Sequence, residues 1–230
     1  CVISAAGSVV NVSRSKDTYL ISTNDGGEYQ VSASSELNIF FEGSDSTANI
    51  GTGVFINEIS TGLGSNNINN SGTIATLTGK AGNDNIWNKG DIATLNTGAG
   101  DDLVQNRGNI TNVNTGSGAD RVFNRGNING ALNTGEGDDT AVNLSGGFIN
   151  DIEAGEGNDR IVNYATVGEM NGGDGDNSIT NQGTVTGKVE AGDNSNIINN
   201  RGHIEELTTG SGNDRAFSFS GATYGVNGIN

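Results

Sequence analysis

The sequence predicts an all-β protein, a parallel β-solenoid of about ten coils of 18–19 residues. Three observations carry this. The chain aligns on itself with a period of 18, stretched in places to 19 or more, in coils that begin at Thr61, Gly79, Thr97, Thr115, Thr134, Ala154, Gly172, Ala191 and Thr209. Aliphatic residues recur at three fixed places in each coil, with the alternation of strands. Glycine is abundant, 38 of 230 residues, and proline is absent. Collagen, which needs Gly every third residue together with Pro, is thereby excluded.

The clearest coil is TGAGDDLVQNRGNITNVN, residues 97–114, and the template reads T-G-x-G-x-D-x-V-x-N-x-G-x-I-x-x-L-N. Position 8 is aliphatic (Ile68, Ile86, Val104, Val122), as are position 14 (Ile74, Ile92, Ile110, Ile128) and position 17 (Leu77, Leu95, Val113, Leu132). Positions 8, 10, 12 and 14 share a face at strand periodicity. β-Branched residues, which strands prefer, dominate positions 8 and 14. A helix would need apolar spacings of three and four, and repeated glycine would weaken it. Each coil therefore reads as two short strands joined by tight turns. Three aliphatic residues in 18 cannot close a core alone, but stacked coils share a continuous thin one. Coils at about 4.8 Å spacing give a rod of roughly 48 Å.

Position 10 is Asn from Asn70 to Asn200, with Ser218 breaking the run. Parity turns this Asn inward, where a lone amide is costly but a stacked column lets each amide bond to the next. Position 12 is mostly Gly, with Ala165 as a variant; a narrow bend or a positive φ explains it. Residues 1–42 depart from the template, alternate apolar and polar (VISAAGSVVNVS, TYLIS, LNIFF), and read as an N-terminal β cap over the open end of the stack. Residues 43–215 are the solenoid, and residues 216–230 read as an irregular C-terminal coil or cap.

Charge narrows the function. With 11 Lys and Arg against 27 Asp and Glu, the formal net charge is −16. Such a chain repels nucleic-acid phosphates and anionic lipid, so neither nucleic acid nor membrane insertion is expected. No segment approaches the roughly 20 apolar residues of a membrane helix. Cys1 is the single cysteine and cannot form an internal disulfide; at this position it also suits a lipidated terminus.

Position 6 is Asp84, Asp102, Asp120, Asp139, Asp159 and Asp214, with Asn66, Asn177 and Asn196 in the remaining coils. Five of these Asp fall in consecutive coils. Two like charges about 4.8 Å apart repel by roughly 0.9 kcal/mol in bulk water and about 3.5 kcal/mol at an effective dielectric of 20. Cations between the carboxylates would relieve this. The preceding Gly-x-Gly turn exposes carbonyls at low steric cost, and carboxylate plus carbonyls is a hard oxygen site suited to Ca²⁺. The alternative is that Asp and Asn serve turn geometry, with Arg121, Arg160 and Arg215 offsetting charge. Under the metal reading, coils with Asn bind worst and metal concentrates in mid-rod.

These residues resemble a known family. TGSGNDRAF (209–217), AGEGNDRIV (154–162) and GGDGDNSIT (172–180) are similar to the G-G-x-G-x-D-x-U-x nonapeptide of calcium-binding repeats-in-toxin proteins. That family carries the motif twice per coil. Here it occurs once, and the other half, N-x-G-x-I-x-x-L, resembles autotransporter passenger domains. The coil length resembles calcium-dependent coils of large bacterial adhesins, including their ice-binding segments. The resemblance covers residues 61–215. It implies one column of calcium sites at the six Asp, and a chain that folds outside a low-calcium cell.

Position 9 faces outward. Trp87, Phe123, Val142, Val162 and Phe217 would form a partner-facing apolar stripe, interrupted by Asn69, Gln105, Thr180 and Asn199. His203, the only His, has too few partners for zinc or a Ser-His-Asp site. The pairs Asp101–Asp102 and Asp138–Asp139 recur at one template place, which argues for a structural role over glycoside hydrolysis. Ice binding would need an unbroken Thr or Asx array, and Thr at position 1 is interrupted. The expectation is a calcium-stabilised structural or adhesive module of a secreted or surface-exposed bacterial protein, not an enzyme. Its partner would be a host-cell, glycan or like-molecule surface, with self-association open. The alternatives are a metal-free self-associating autotransporter passenger, a polysaccharide-acting enzyme or its non-catalytic module, and an ice-binding segment.

Overall fold

A computed structural model describes residues 1–5, 9–24, 26–43 and 45–229. Positions 6–8 and 25 of the expected cap, position 44 of the expected solenoid and position 230 of the C-terminal segment lie outside the described residues. Among the described residues there is no helix; 25 strands form a 12-stranded and a 13-stranded sheet. The chain alternates between them. Each coil gives a four-residue strand at positions 7–10, such as Leu103–Asn106, to the larger sheet. A longer strand, such as Asn109–Ser117, goes to the other. Neighbouring coils pair parallel and in register: Val104 lies between Ile86 and Val122, and Ile110 between Ile92 and Ile128. The result is the parallel β-solenoid of about ten coils that the 18-residue period predicts.

Strand alternation places positions 8, 14 and 17 inside, where they form one buried column from the first strand to Leu207. Position 10 runs beside it. Each Asn amide donates from Nδ2 to Oδ1 of the next, at 2.8 Å from Asn70 to Asn88, 2.8 Å from Asn106 to Asn124 and 3.0 Å from Asn124 to Asn143. The same Nδ2 also donates to backbone carbonyls, as Asn88 does to Gly90 O at 3.0 Å. The buried amides are thus satisfied by repetition. Asn124→Ala would leave the Asn106 donor and the Asn143 acceptor without this partner. We expect a loss of about 3 kcal/mol, read as the shift of a urea unfolding midpoint.

The glycines of position 12 do not have positive φ. They are close-approach residues: a Cβ on Gly108 would lie 2.0 Å from Gly90 O, and one on Gly126 2.0 Å from Gly108 O. Ala165, an exception, stacks on a widened turn, Leu144–Gly147, which separates the strands ending at Asn143 and beginning at Phe148. That turn accounts for the two extra residues of the coil begun at Thr134. The coils of 19 residues absorb their extra residue as a bulge in the longer strand beside Gly130 and Gly187, where the register shifts by one.

The N-terminal segment joins the solenoid more closely than a separate cap. Val2–Ala5 pairs parallel with Asn38–Phe41, and Val9–Ser15 with Thr47–Ile50, so both belong to a first coil. Only Thr18–Thr23 and Glu28–Ser32 add antiparallel strands beyond it. Tyr19 and Ile21 on the first of these enter the core, and the Tyr19 hydroxyl accepts the Phe55 N–H at 3.1 Å. Toward the other end, Arg215–Ser218 and Thr223–Ile229 continue both sheets as a further coil.

Candidate metal column at the glycine turn

Position 6 has the same parity as positions 8 and 10, and its side chain points the same way, into the rod. Asp84, Asp102, Asp120, Asp139 and Asp159 are 0–2% exposed. Asp214, in the last coil, is half-buried. The structure therefore brings five of the six expected carboxyls into one buried column and leaves the sixth at its rim.

The first oxygen of each carboxyl has a fixed task. Oδ1 accepts the backbone N–H of the position-6 residue in the preceding coil: Asp84 N–H to Asp102, Asp102 to Asp120, Asp120 to Asp139 and Asp139 to Asp159, each at 2.7 Å. Asn does this equally well, since Asn177 accepts from Asp159 at 2.8 Å and Asn196 from Asn177 at 2.9 Å. This much is the turn-geometry role of Asx, and it explains why both residues occur here.

The second atom separates them. Asn66 donates from Nδ2 to Gly62 O at 3.3 Å and Gly64 O at 2.8 Å. Asn196 donates to Gly192 O and Asp193 O, both at 3.1 Å. The second atom at position 6 therefore faces carbonyls of the Gly-x-Gly turn. Asp places an acceptor there. Oδ2 of Asp84, Asp102, Asp120, Asp139 and Asp159 is buried and makes no hydrogen bond. The hydroxyls of Thr97, Thr115 and Thr134 lie beside Asp102, Asp120 and Asp139. Their protons go to the next coil, Thr97 Oγ1 to Thr115 O at 2.9 Å and Thr115 Oγ1 to Thr134 O at 2.8 Å. A hydroxyl could turn to the carboxylate only by giving up that bond. Acceptor facing acceptor in a buried place needs a proton or a cation between them.

The electrostatics agree. Burial is the largest cause that pushes the Asp102 and Asp159 carboxyls up to about 6 and Asp139 up to about 7. Asp84 and Asp120 are raised for the same reason. Backbone N–H bonds oppose the shift, and neighbouring carboxylates of the column add to it at Asp102 and Asp139.

A hard cation fits this column by donor chemistry. Each of these five coils offers an orphaned carboxyl oxygen and turn carbonyls, joined in three of them by a threonine hydroxyl, all oxygen ligands of the kind Ca²⁺ takes. Among the described residues, no three His, Cys, Asp or Glu side chains converge in a metal-sized group. A cation here would be held by one carboxylate per coil and by backbone.

Other sequence expectations fall out differently. Adjacent Asp101 and Asp102 lie on opposite sides of the coil wall, Asp101 exposed and Asp102 buried, as do Asp138 and Asp139. They do not face one another across a cleft. Exposed Asp101 instead has a task that the sequence reading missed. Its Oδ1 accepts the Ala119 N–H at 2.9 Å, and Asp138 Oδ1 accepts the Asn158 N–H at 2.7 Å. Position 5 is thus a second Asx column, legible from its Asp and Asn content. Thr97, Thr115 and Thr134 at position 1 are buried and form no surface array. The expected outward stripe needs correction: Trp87 and Phe217 are exposed, but Val142 and Val162 are only 7% and 1% exposed. Short valines sit among larger outward side chains, including Phe123 beside Val142 and Tyr164 two residues after Val162. His203 bonds Thr223 through Nδ1 at 2.9 Å and lies 3.3 Å from Glu205 through Nε2.

Comparisons with protein families, with characterised proteins and with solved structures find no match. The resemblance to repeats-in-toxin and autotransporter repeats therefore stands on the motif residues alone.

Proposed function

We propose that the chain is a structural or adhesive rod of a secreted or surface-exposed bacterial protein, stabilised by calcium at the position-6 column and without catalytic activity. The observation that carries this reading is the orphaned Oδ2, repeated in five consecutive coils beside turn carbonyls. A feature repeated over five consecutive coils serves the stack, whereas a catalytic site is built once. Asp84, Asp102, Asp120, Asp139 and Asp159 would hold the metal, with Asp214 as a rim ligand. Bound calcium would supply positive charge where carboxylate and carbonyl oxygens meet. Metal binding and folding would then be linked. The nonapeptide resemblance supports calcium over other hard cations, and it supports export to a calcium-rich exterior.

The test is thermal unfolding at pH 7.5, followed by far-UV circular dichroism in excess EDTA and in millimolar calcium. We expect calcium to raise the midpoint by 10 °C or more, roughly the effect of a few kcal/mol of linked binding energy. Coincident curves would withdraw the metal and leave a hydrogen-bonded rod of the autotransporter kind.

A further inference from the structure

The net charge of −16 is not spread over the rod. From Thr47 onward, the outward face of the short-strand sheet comprises positions 7, 9 and 11. None of the 27 Asp and Glu falls there. Seven of the 11 Lys and Arg do: Lys89, Arg107, Arg121, Arg125, Arg160, Arg201 and Arg215. All seven are exposed, and among the described residues none forms an ion pair with a carboxylate. Aromatic rings stand between them. Lys89 Nζ lies 4.8 Å from the Trp87 ring centre, the Arg107 guanidinium 5.9 Å from the same ring, and Arg201 4.0 Å from Phe219. Shallow clefts open between the side chains, one of about 190 Å³ lined by Gln105, Arg107, Phe123, Arg125 and Leu144. Exposed carboxylates border it: Asp91 lies two residues from Lys89, and Asp101 and Asp138 accept the N–H groups of Ala119 and Asn158, two residues before Arg121 and Arg160.

We propose that this face binds a linear polyuronate, an extended polysaccharide with a carboxylate on each sugar, laid along the rod axis. Guanidinium forks match carboxylates in geometry and charge. Lys89, Arg107 and Arg125 stand at position 11 of three consecutive coils, so a ligand charged at each sugar meets these three in step, while the coils begun at Thr134 and Gly172 carry no cation on this face. Trp87 and Phe123 stand at position 9 two coils apart, roughly 9.6 Å along the axis, about the length of an extended disaccharide. Both rings offer apolar surface to alternate sugars. A single-stranded nucleic acid would instead ask for rings close enough to stack successive bases, and the neighbouring coils carry Gln105 and the buried Val142 at that place. The inference rests on the adhesive reading and names its partner class.

Trp87 is the only tryptophan, so its fluorescence reports the face directly. The experiment titrates the full chain with a decamer of β-1,4-linked mannuronate, with the neutral mannose decamer, and with a single-stranded DNA of similar length. We expect a saturable Trp87 response to oligomannuronate that weakens with added NaCl, little response to the neutral decamer, and weaker binding of DNA. Arg107→Gln with Arg125→Gln should weaken oligomannuronate binding roughly tenfold or more, with an unchanged thermal unfolding curve. Equal affinity for the neutral decamer overturns the polyuronate assignment and leaves an adhesive rod. Tighter DNA binding, full affinity in the double variant, or no response to oligomannuronate overturns it as well. Concentration-dependent sedimentation that alone alters Trp87 fluorescence would reassign the face to a second copy of the chain.

Discussion

At pH 8 without divalent cations, the variant carrying Asp102→Asn, Asp120→Asn and Asp139→Asn should unfold about 10 °C or more above the parent chain. Three buried charges disappear, and each new Nδ2 can donate to turn carbonyls as Asn66 and Asn196 do. Oδ1 keeps its bond to the neighbouring N–H. Taking about 2 kcal/mol each for Asp102 and Asp139, and 2–4 °C per kcal/mol for a chain of this size, already gives a shift of about 10 °C, to which Asp120 adds in the same direction. The pH dependence follows with a definite sign. Folded-state values of about 6 for Asp102 and Asp159 and about 7 for Asp139 lie above the ordinary carboxyl value. The stabilisation from protonated carboxyls is then complete below about pH 4 and is lost as pH rises through 6 to 7. The metal-free parent should lose thermal stability across that window, and the Asn variant should lose much less. A parent more stable at pH 8 than at pH 5 would contradict this.

Gly108→Ala should cost about 4 kcal/mol or more, or prevent folding outright. The added methyl would meet Gly90 O at 2.0 Å and Lys89 C at 2.7 Å. Both are backbone atoms within the stack, so relief requires the coils to part and the flanking parallel hydrogen bonds to lengthen. Strain of this kind belongs to the short list of severe single-site effects. Ala165→Gly is the matched control. It sits at the same template position but above the widened turn, and we expect a change within about 1 kcal/mol. Paired urea titrations of the two variants check both values.

The fold was legible because two local rules agreed. Alternation fixed which residues face inward, and the 18-residue period fixed what each stacks upon. The Asn column followed, since a buried amide at every step can be satisfied only by its own repeats. The same alternation extends from Asn106 through Val104 to Asp102, so the inward Asp column was also within reach. What sequence could not show depends on neighbours across coils. Whether Val142 is exposed depends on side-chain height around it, and whether Gly108 is there for φ or for close approach depends on inter-coil spacing. The cationic face needed both sheets to be assigned before Lys89, Arg107 and Arg125 could be seen as one surface, because net charge conceals it.

The carboxyl ¹³C chemical shifts of aspartate, followed by NMR in the metal-free protein from pH 3 to 8, test the central claim most directly. The account predicts a group of carboxyls that titrate near 6 to 7, lost in part in the triple Asn variant and driven to the ionised form by calcium with release of protons. If every aspartate titrates below about pH 4.5 in the folded, metal-free chain, the buried Oδ2 atoms need neither a proton nor a cation, and the account fails.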